Sequence, residues 1–167
     1  FHNSTLFTDT QNGLFQHRLI HQITVSASST QDVTDALSRT VSALQEKRQK
    51  DRIAIYLANQ SNQLILQTEA GFGSNDLVVP SYEMGVGVVG KAAAERHSIL
   101  IRDTLNESAN DTVTLRTRSA LATPIIFANQ LIGILYSENS EPAAFHDDDA
   151  EIFASLANTL GAIISNA

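Results

Sequence analysis

A glycine-rich run at residues 85–90 carries the most recognisable chemistry in this sequence. It reads Gly-Val-Gly-Val-Val-Gly, the G-x-G-x-x-G spacing with which Rossmann folds seat a dinucleotide pyrophosphate at a helix N-terminus. That fold needs a buried strand before the first glycine and a unit of roughly 30 residues. Polar residues 81–83 precede this run, and only residues 91–97 separate it from the next predicted strand. We therefore predict a turn and a helix N-terminus that could hold a ligand, outside a Rossmann fold.

Thiol, metal and hydrolase chemistry find little support. The 167 residues contain no cysteine, which removes thiol nucleophiles, Cys-ligated zinc and thioether-linked cofactors. His17 and His21 have the spacing of a metal-binding pair on a helix, but no third ligand accompanies them. His2, His97 and His146 lie in the N-terminal lead-in or at predicted helix boundaries, and no Gly-x-Ser-x-Gly turn is present. We predict no metal site and no catalytic residues.

The charge balance argues against nucleic acid as a partner. Eleven basic against 18 acidic residues give a net charge of -7, the wrong sign for gripping a phosphate backbone. The acids cluster at Asp147, Asp148, Asp149 and Glu151, and the bases at Lys47, Arg48, Lys50 and Arg52. Each cluster falls at a predicted helix end of the sign that the helix dipole prefers.

The same composition predicts a cytoplasmic domain without membrane contact. No apolar run approaches the roughly 18 residues of a membrane-spanning helix. The absence of cysteine is compatible with a reducing cytoplasm. Because the chain opens on Phe1, without a signal peptide, we interpret it as a piece of a longer protein.

The N-terminal part predicts a lead-in and two helices. Residues 1–13 are polar and without periodicity, so we expect a flexible lead-in before a single domain over residues 14–167. Apolar residues recur at every fourth position over residues 15–27, which predicts an amphipathic helix. Thr30 is the expected N-cap of a second helix. The buried face of that helix should carry Val33, Leu37, Val41 and Leu44.

The remainder alternates strand and helix signals. Two hairpins are predicted, over residues 53–70 and 120–137, the second turning at residues 128–130 where Asn129 tolerates a positive φ. Pro80 confines a short strand at residues 77–82 to a sheet edge or strand end. The other expected elements are a helix over 88–96, a strand over 98–102, a polar segment over 104–117 and a last helix from Asp147. This order predicts an α+β fold with an antiparallel sheet.

The order of short motifs resembles the GAF domain over about residues 15–167. The motifs are Ala-Gly-Phe-Gly at 70–73, the glycine run with Lys-Ala-Ala at 85–93, Ile-Leu-Ile-Arg-Asp at 99–103, Arg-Ser-Ala-Leu-Ala-Thr-Pro-Ile at 118–125, Gln-Leu-Ile-Gly-Ile-Leu at 130–135, and Phe145 before the acidic helix start. The resemblance implies a six-stranded antiparallel sheet with the terminal helices on one face. It places a ligand pocket on the other face, under the short helix and the polar segment.

The resemblance also assigns candidate pocket residues. They are Val88, Val89, Ala92, Ile101, Asp103, Val113, Thr117, Leu121, Thr123 and Tyr136. Ordinary core packing explains each apolar member equally well. In the expected mechanism a ligand orders the polar segment, and the change is felt at the sheet and the terminal helices. Replacing Thr117 by alanine should then weaken ligand binding while leaving the fold intact.

Cofactors known in this family find uneven support. Cyclic-nucleotide-binding members pair Asn-Lys after the last strand with Phe-x-x-x-Asp-Glu at the last helix. Here Ser140 replaces the lysine and Ala150 the glutamate, and Tyr136 stands where such members can place an acid that contacts the base. Cyclic GMP or cyclic AMP therefore stays open but unsupported. The lack of cysteine excludes a thioether-bound bilin and the cysteine chemistry of free methionine sulfoxide reductases of this fold, and no histidine is an evident axial ligand for heme.

These observations favour a sensory input module that binds an unidentified small molecule within a larger signalling protein, such as a sensor histidine kinase or a nucleotide cyclase. The family resemblance adds a homodimer formed through the terminal helices, which continue into neighbouring domains. Two alternatives remain, a ligand-free dimerisation module and an unrecognised enzyme.

Overall fold

The computed structural model describes residues 30–105 and 116–166. The predicted lead-in, the predicted helix at residues 15–27 and the middle of the polar segment lie outside these residues. The described helices are α1 (Thr30–Lys47), α2 (Gly87–Glu95) and α3 (Asp147–Ser165). The described strands are β1 (Arg52–Ala58), β2 (Gln63–Ala70), β3 (Ser81–Glu83), β4 (Ile99–Ile101), β5 (Ser119–Phe127) and β6 (Gln130–Asn139).

One antiparallel sheet contains all these strands in the order β3-β2-β1-β6-β5-β4. This confirms the predicted α+β fold with a six-stranded sheet. The two central strands pair so that Arg52 lies opposite Glu138. The β5–β6 turn has φ of 49° at Ala128 and 68° at Asn129, and positive φ at both central residues is the type I′ geometry that matches strand twist.

Helices α1 and α3 cover one face of the sheet. The α1 residues predicted to be buried, Val33, Leu37, Val41 and Leu44, pack there with Ile53 and Ile55 of β1 and with Leu121, Ile125 and Leu135 of the second hairpin. From α3, Ile152, Phe153, Leu156 and Leu160 complete this core. Phe145 meets Phe153 edge to face, with ring centroids 6.4 Å apart. We call this side the terminal-helix face.

Thr123 places a hydroxyl in the core of the terminal-helix face. The residue is 2% exposed, and its Oγ1 has no hydrogen-bond partner among the described residues. A buried unsatisfied hydroxyl costs about 1–3 kcal/mol. Thr123→Val should therefore raise the free energy of unfolding by about 1 kcal/mol in urea denaturation.

Thr40→Val is the matched control for this prediction. The buried Thr40 hydroxyl donates to the Ala36 carbonyl at 2.8 Å, so its removal should bring no gain. A loss of stability in Thr123→Val equal to that in Thr40→Val would show that the Thr123 hydroxyl is satisfied in solution.

The short helix α2 covers the opposite face, which we call the α2 face. Strand residues Ala54, Ala120 and Ala122 are small, and Val88, Val89, Ala92 and Ala93 of α2 share one core with them. Gly90 lets the start of α2 approach β3, because a Cβ there would lie 2.3 Å from the Glu83 carbonyl oxygen. The predicted helix after the glycine run is thus confirmed, and it forms the outer wall of the second core.

The basic and acidic clusters meet at one end of the terminal-helix face. Arg48, just after α1, pairs with Asp51, donates from Nη1 to Asp149 of α3 at 2.6 Å, and donates from Nη2 to the Ala144 carbonyl at 2.8 Å. Its guanidinium also lies 4.7 Å from the centroid of the Phe145 ring. Arg48 therefore ties α1, β1 and α3 together, a role beyond the helix-dipole complement predicted for both clusters.

None of the described helices is long and apolar enough to cross a bilayer.

Candidate functional site

A buried ion pair lies on the α2 face, between the two central strands. Arg52 opens β1 and points to the same side as Ala54 and Tyr56, because side chains alternate along a strand. Glu138 lies opposite in β6, and Arg52 Nε donates to Glu138 Oε1 at 2.9 Å. Arg52 is 4% exposed and Glu138 is 1% exposed. Buried charges of this kind persist in proteins only when they are paired and hydrogen-bonded.

Three hydroxyl groups form hydrogen bonds with this ion pair. Tyr136 donates its hydroxyl to Glu138 Oε2 at 2.7 Å. Arg52 donates from Nη1 to Ser140 Oγ at 2.9 Å and from Nη2 to Thr117 Oγ1 at 3.3 Å. The ion pair and these hydroxyls, Arg52, Glu138, Tyr136, Thr117 and Ser140, form what we call the polar cluster. It joins the start of β1, the end of β6 and Thr117, two positions before β5, in one hydrogen-bonded unit.

Two further tyrosines extend the α2 face beside the polar cluster. Tyr56 donates its hydroxyl to the Val79 carbonyl at 2.7 Å and meets Tyr82 edge to face, with ring centroids 5.3 Å apart. Burial is the main cause that raises the pKa of Tyr56, Tyr82 and Tyr136, and the Glu138 charge raises each pKa further. All three phenols therefore stay neutral and keep their protons.

Two partly exposed acid–arginine pairs join the segment before β5 to neighbouring loops. Arg118 donates from Nε and Nη2 to the two carboxylate oxygens of Asp103, both at 3.0 Å. These hydrogen bonds, together with one from the Leu105 amide, lower the pKa of Asp103. Arg116 donates from Nη1 to Asp76 at 2.7 Å. The Asp103 carboxylate, just after the edge strand β4, is thus held by Arg118.

Six of the predicted pocket residues come together on the α2 face. Val88, Val89, Ala92, Ile101 and Tyr136 belong to its core, and Thr117 reaches it through Arg52. Asp103 lies at the edge of this face, and Val113 lies outside the described residues. Whether these residues contact a ligand stays a prediction.

Two predicted pocket residues are wrong, because Leu121 and Thr123 project to the other side of β5. Leu121 packs in the core under α1 and α3. Thr123 shares its side of the strand, since the two residues are separated by one intervening position. Both sides of β5 are apolar, so the sequence pattern did not indicate which residues face α2.

Arg52 and Glu138 were missed as candidate site residues. Grouping Arg52 with the basic cluster at a helix end was wrong, because it begins a strand and its side chain is buried on the α2 face. The signal that could have found the pair is a charge at the end of each apolar central strand. Arg52 has the same alternation phase as Tyr56, and Glu138 the same phase as Tyr136. Within residues 30–105 and 116–166, no group of three His, Asp or Glu side chains is placed to hold a metal ion.

The fold and its two faces define the class of protein. The chain belongs to the GAF domain family, whose sequence profile matches residues 32–164. GAF domains are regulatory and sensory domains. This bears out the resemblance drawn from the motifs.

One curated relative is similar to this chain at low identity. The Nif-specific regulatory protein of Herbaspirillum seropedicae is 22% identical over 151 residues, which cover 85% of this chain and 28% of that protein. This chain thus spans little more than a quarter of that relative's length.

Two solved structures show the same fold. The free methionine-R-sulfoxide reductase from Neisseria meningitidis, in complex with its substrate, is 24% identical with a TM-score of 0.79, covering 93% of this chain and 91% of that chain. The GAF domain from Acinetobacter phosphoenolpyruvate-protein phosphotransferase is 18% identical, also with a TM-score of 0.79, covering 94% of both chains.

Proposed function

We propose that this domain is the sensory input module of a larger signalling protein and that it binds a small molecule on the α2 face, beside the polar cluster. The observation that carries the proposal is the buried Arg52–Glu138 ion pair. Replacing such a pair by apolar residues of similar volume is often neutral or stabilising, so the pair is poorly explained by stability alone. Convergent polar groups within an apolar face are typical of small-molecule sites.

The two strands that carry the polar cluster, β1 and β6, also contact residues that connect to helices α1 and α3. Asp51 precedes Arg52 and projects to the opposite face, where it is 2% exposed. It accepts hydrogen bonds from Ser137 Oγ at 3.0 Å and from Asn139 Nδ2 at 2.8 Å. Alternate residues of β6 therefore bind Arg52 on one face and Asp51 on the other.

Arg48 extends this connection, because it pairs with Asp51 and with Asp149 of α3. A ligand that draws Arg52 or Glu138 away from its present partners would shift the ends of β1 and β6. That shift would bias the contacts of Arg48 and hence the packing of α1 against α3. The mechanism is a population shift, in which the ligand favours the arrangement that it contacts better.

The parent protein would respond to this change in the packing of α1 against α3. A sensor histidine kinase or a nucleotide cyclase is the kind of parent we propose, with the domain acting in a homodimer formed by its terminal helices. The relative from Herbaspirillum is itself a regulatory protein. The reductase from Neisseria is an enzyme of the same fold, but at 24% identity that likeness concerns the fold alone. We propose a regulatory role for this chain.

Native mass spectrometry of the purified domain tests the proposal. Spectra under gentle conditions should show a small molecule that is lost on denaturation. The matched variant is Arg52→Met combined with Glu138→Leu, which removes both charges together and should retain the fold. Loss of the small molecule in this variant would support a site beside the polar cluster. A bare protein mass together with a dimer in the wild type would favour the ligand-free dimerisation module instead.

Thr117→Ala gives a second prediction for the same site. Thr117 Oγ1 accepts a hydrogen bond from the charged Arg52 Nη2, and because this bond is long, at 3.3 Å, we expect it to contribute about 1 kcal/mol. We expect the co-purifying molecule to bind about fivefold more weakly, because Arg52 loses a group that orients it. The measurement is titration of the stripped domain with the recovered molecule. Thr68→Ala is the control, since Thr68 contacts Ser38 of α1 and should leave affinity unchanged. Unchanged affinity in Thr117→Ala would mean that the proposed site is misplaced.

A further inference from the structure

A groove lies at the end of the sheet that is remote from the polar cluster. It has a volume of about 560 Å³ and forms where the β1–β2 turn, the β5–β6 turn and the end of α2 meet. Besides Arg96, its described lining residues are Ala58, Asn59, Gln60, Asn129, Gln130 and Leu131. We infer that this groove, which we call the turn groove, is a second binding site and takes a small molecule that carries a carboxylate.

Arg96 supplies the charge of the turn groove. It is the charged residue among the described residues that line the groove, whereas Glu83, Lys91 and Glu95 of the neighbouring strand and helix do not line it. Arg96 Nη2 donates to the Asn129 carbonyl at 2.6 Å, which holds the guanidinium against the β5–β6 turn. An arginine carries more N–H groups than this contact uses, and its planar fork matches a carboxylate.

The backbone at Arg96 has the conformation in which helices commonly end on glycine. Arg96 ends α2 with φ 60° and ψ 31°, and its N–H donates to the Ala92 carbonyl. Glycine is the usual residue in this left-handed conformation because a Cβ is crowded there. The helix end alone therefore does not explain an arginine at this position, and its side chain is fixed beside the groove.

The rest of the turn groove suits a small carboxylic acid with an apolar part and further polar groups. Ala58 and Leu131 are partly buried against the core of the α2 face and give the groove an apolar portion. Gln60 and Gln130 are exposed, and each carboxamide can both donate and accept. The groove volume also falls within the roughly 300–1,000 Å³ of small-molecule sites.

Two-dimensional amide NMR tests the inference with fragment-sized carboxylic acids, each paired with its own primary amide. The titrations use an ionic strength of about 0.15 M, which screens unspecific attraction beyond about 8 Å. We expect acids to perturb the backbone amides of residues 58–60, 96 and 129–131 with a Kd of about 1 mM, and their primary amides to bind at least about tenfold more weakly. Equal affinity of acids and primary amides, or no perturbation at these residues, would overturn the inference.

Two substitutions of Arg96 separate ligand binding from folding. Arg96→Gln removes the charge and should lower the affinity for the acids at least about tenfold. Arg96→Gly should lower it as much while keeping the fold, because glycine suits the left-handed backbone. Retained affinity in both variants would show that the turn groove does not bind the carboxylate.

Arg102→Gln is the matched control for the loss of one positive charge. Arg102 is also exposed, with 61% of its side chain accessible, but it follows β4 and does not line the turn groove. Its replacement should leave the affinity unchanged. An equal loss in Arg102→Gln would show that the net charge of the domain, rather than Arg96 in the groove, sets the affinity.

The double variant Arg52→Met and Glu138→Leu distinguishes the turn groove from the site proposed beside the polar cluster. Arg52 begins β1 and Ala58 ends it, so about 20 Å of strand separate the two sites. The double variant should therefore keep the affinity for the acids within about twofold, even where it loses the co-purifying molecule. Loss of acid binding in the double variant would overturn the assignment of the turn groove as a separate site.

Discussion

Replacing Arg52 by methionine is expected to lower the free energy of unfolding by about 3–5 kcal/mol. The substitution removes the main partner of Glu138, a carboxylate that is 1% exposed and would be left with the Tyr136 hydroxyl alone among its described partners. A buried charge without its counter-ion costs more than the pair contributed. Urea denaturation followed by far-UV circular dichroism measures the change, with the slope checked for a constant denatured state.

The double variant Arg52→Met and Glu138→Leu is the decisive comparison. Removing both charges should restore most of the loss, leaving about 1–2 kcal/mol for the Tyr136 hydroxyl, which loses its acceptor. The double variant should be well folded and yet unable to hold the small molecule. If it is as unstable as Arg52→Met, the pair stabilises the fold directly, and the argument that it is kept for binding loses its basis.

Arg48→Met is expected to have the second-largest effect, a loss of about 2–3 kcal/mol. Arg48 holds the buried carboxylate of Asp51, contacts Asp149 of α3 and caps the Ala144 carbonyl. Asp51 would keep Ser137 and Asn139 as donors, which is why the loss should fall below that for Arg52. Relative to the wild-type domain, the variant should show a larger increase in amide hydrogen exchange at the start of α3 than at its centre.

Lys50→Met serves as the control for Arg48. Lys50 belongs to the same basic cluster, but its side chain is 79% exposed and its pairing with Glu141 spans 3.5 Å. Exposed pairs of this kind contribute little, so the change should stay within about 0.5 kcal/mol. Equal losses for Arg48→Met and Lys50→Met would contradict the assignment of Arg48 as the link between α1, β1 and α3.

Local patterns in the sequence determined most of the elements and their order. The four apolar residues of α1, the hairpin turn at Ala128 and Asn129, and the helix after the glycine run each depend on neighbours a few positions away. Helical and strand periodicity express that local physics directly, so these elements could be predicted. The motif order then indicated the GAF fold, and with it several of the residues in the core of the α2 face.

Which side chains share a face was decided by the tertiary structure. Strand β5 is buried on both faces, so alternation alone did not separate Ala120 and Ala122 from Leu121 and Thr123. Arg52 and Glu138 are 86 residues apart and become partners only through the register of β1 against β6. A charge at the end of an apolar strand is ordinarily a solvated boundary. It becomes a buried site only when the sheet brings a second charge opposite it and neighbouring hydroxyl groups bind both charges.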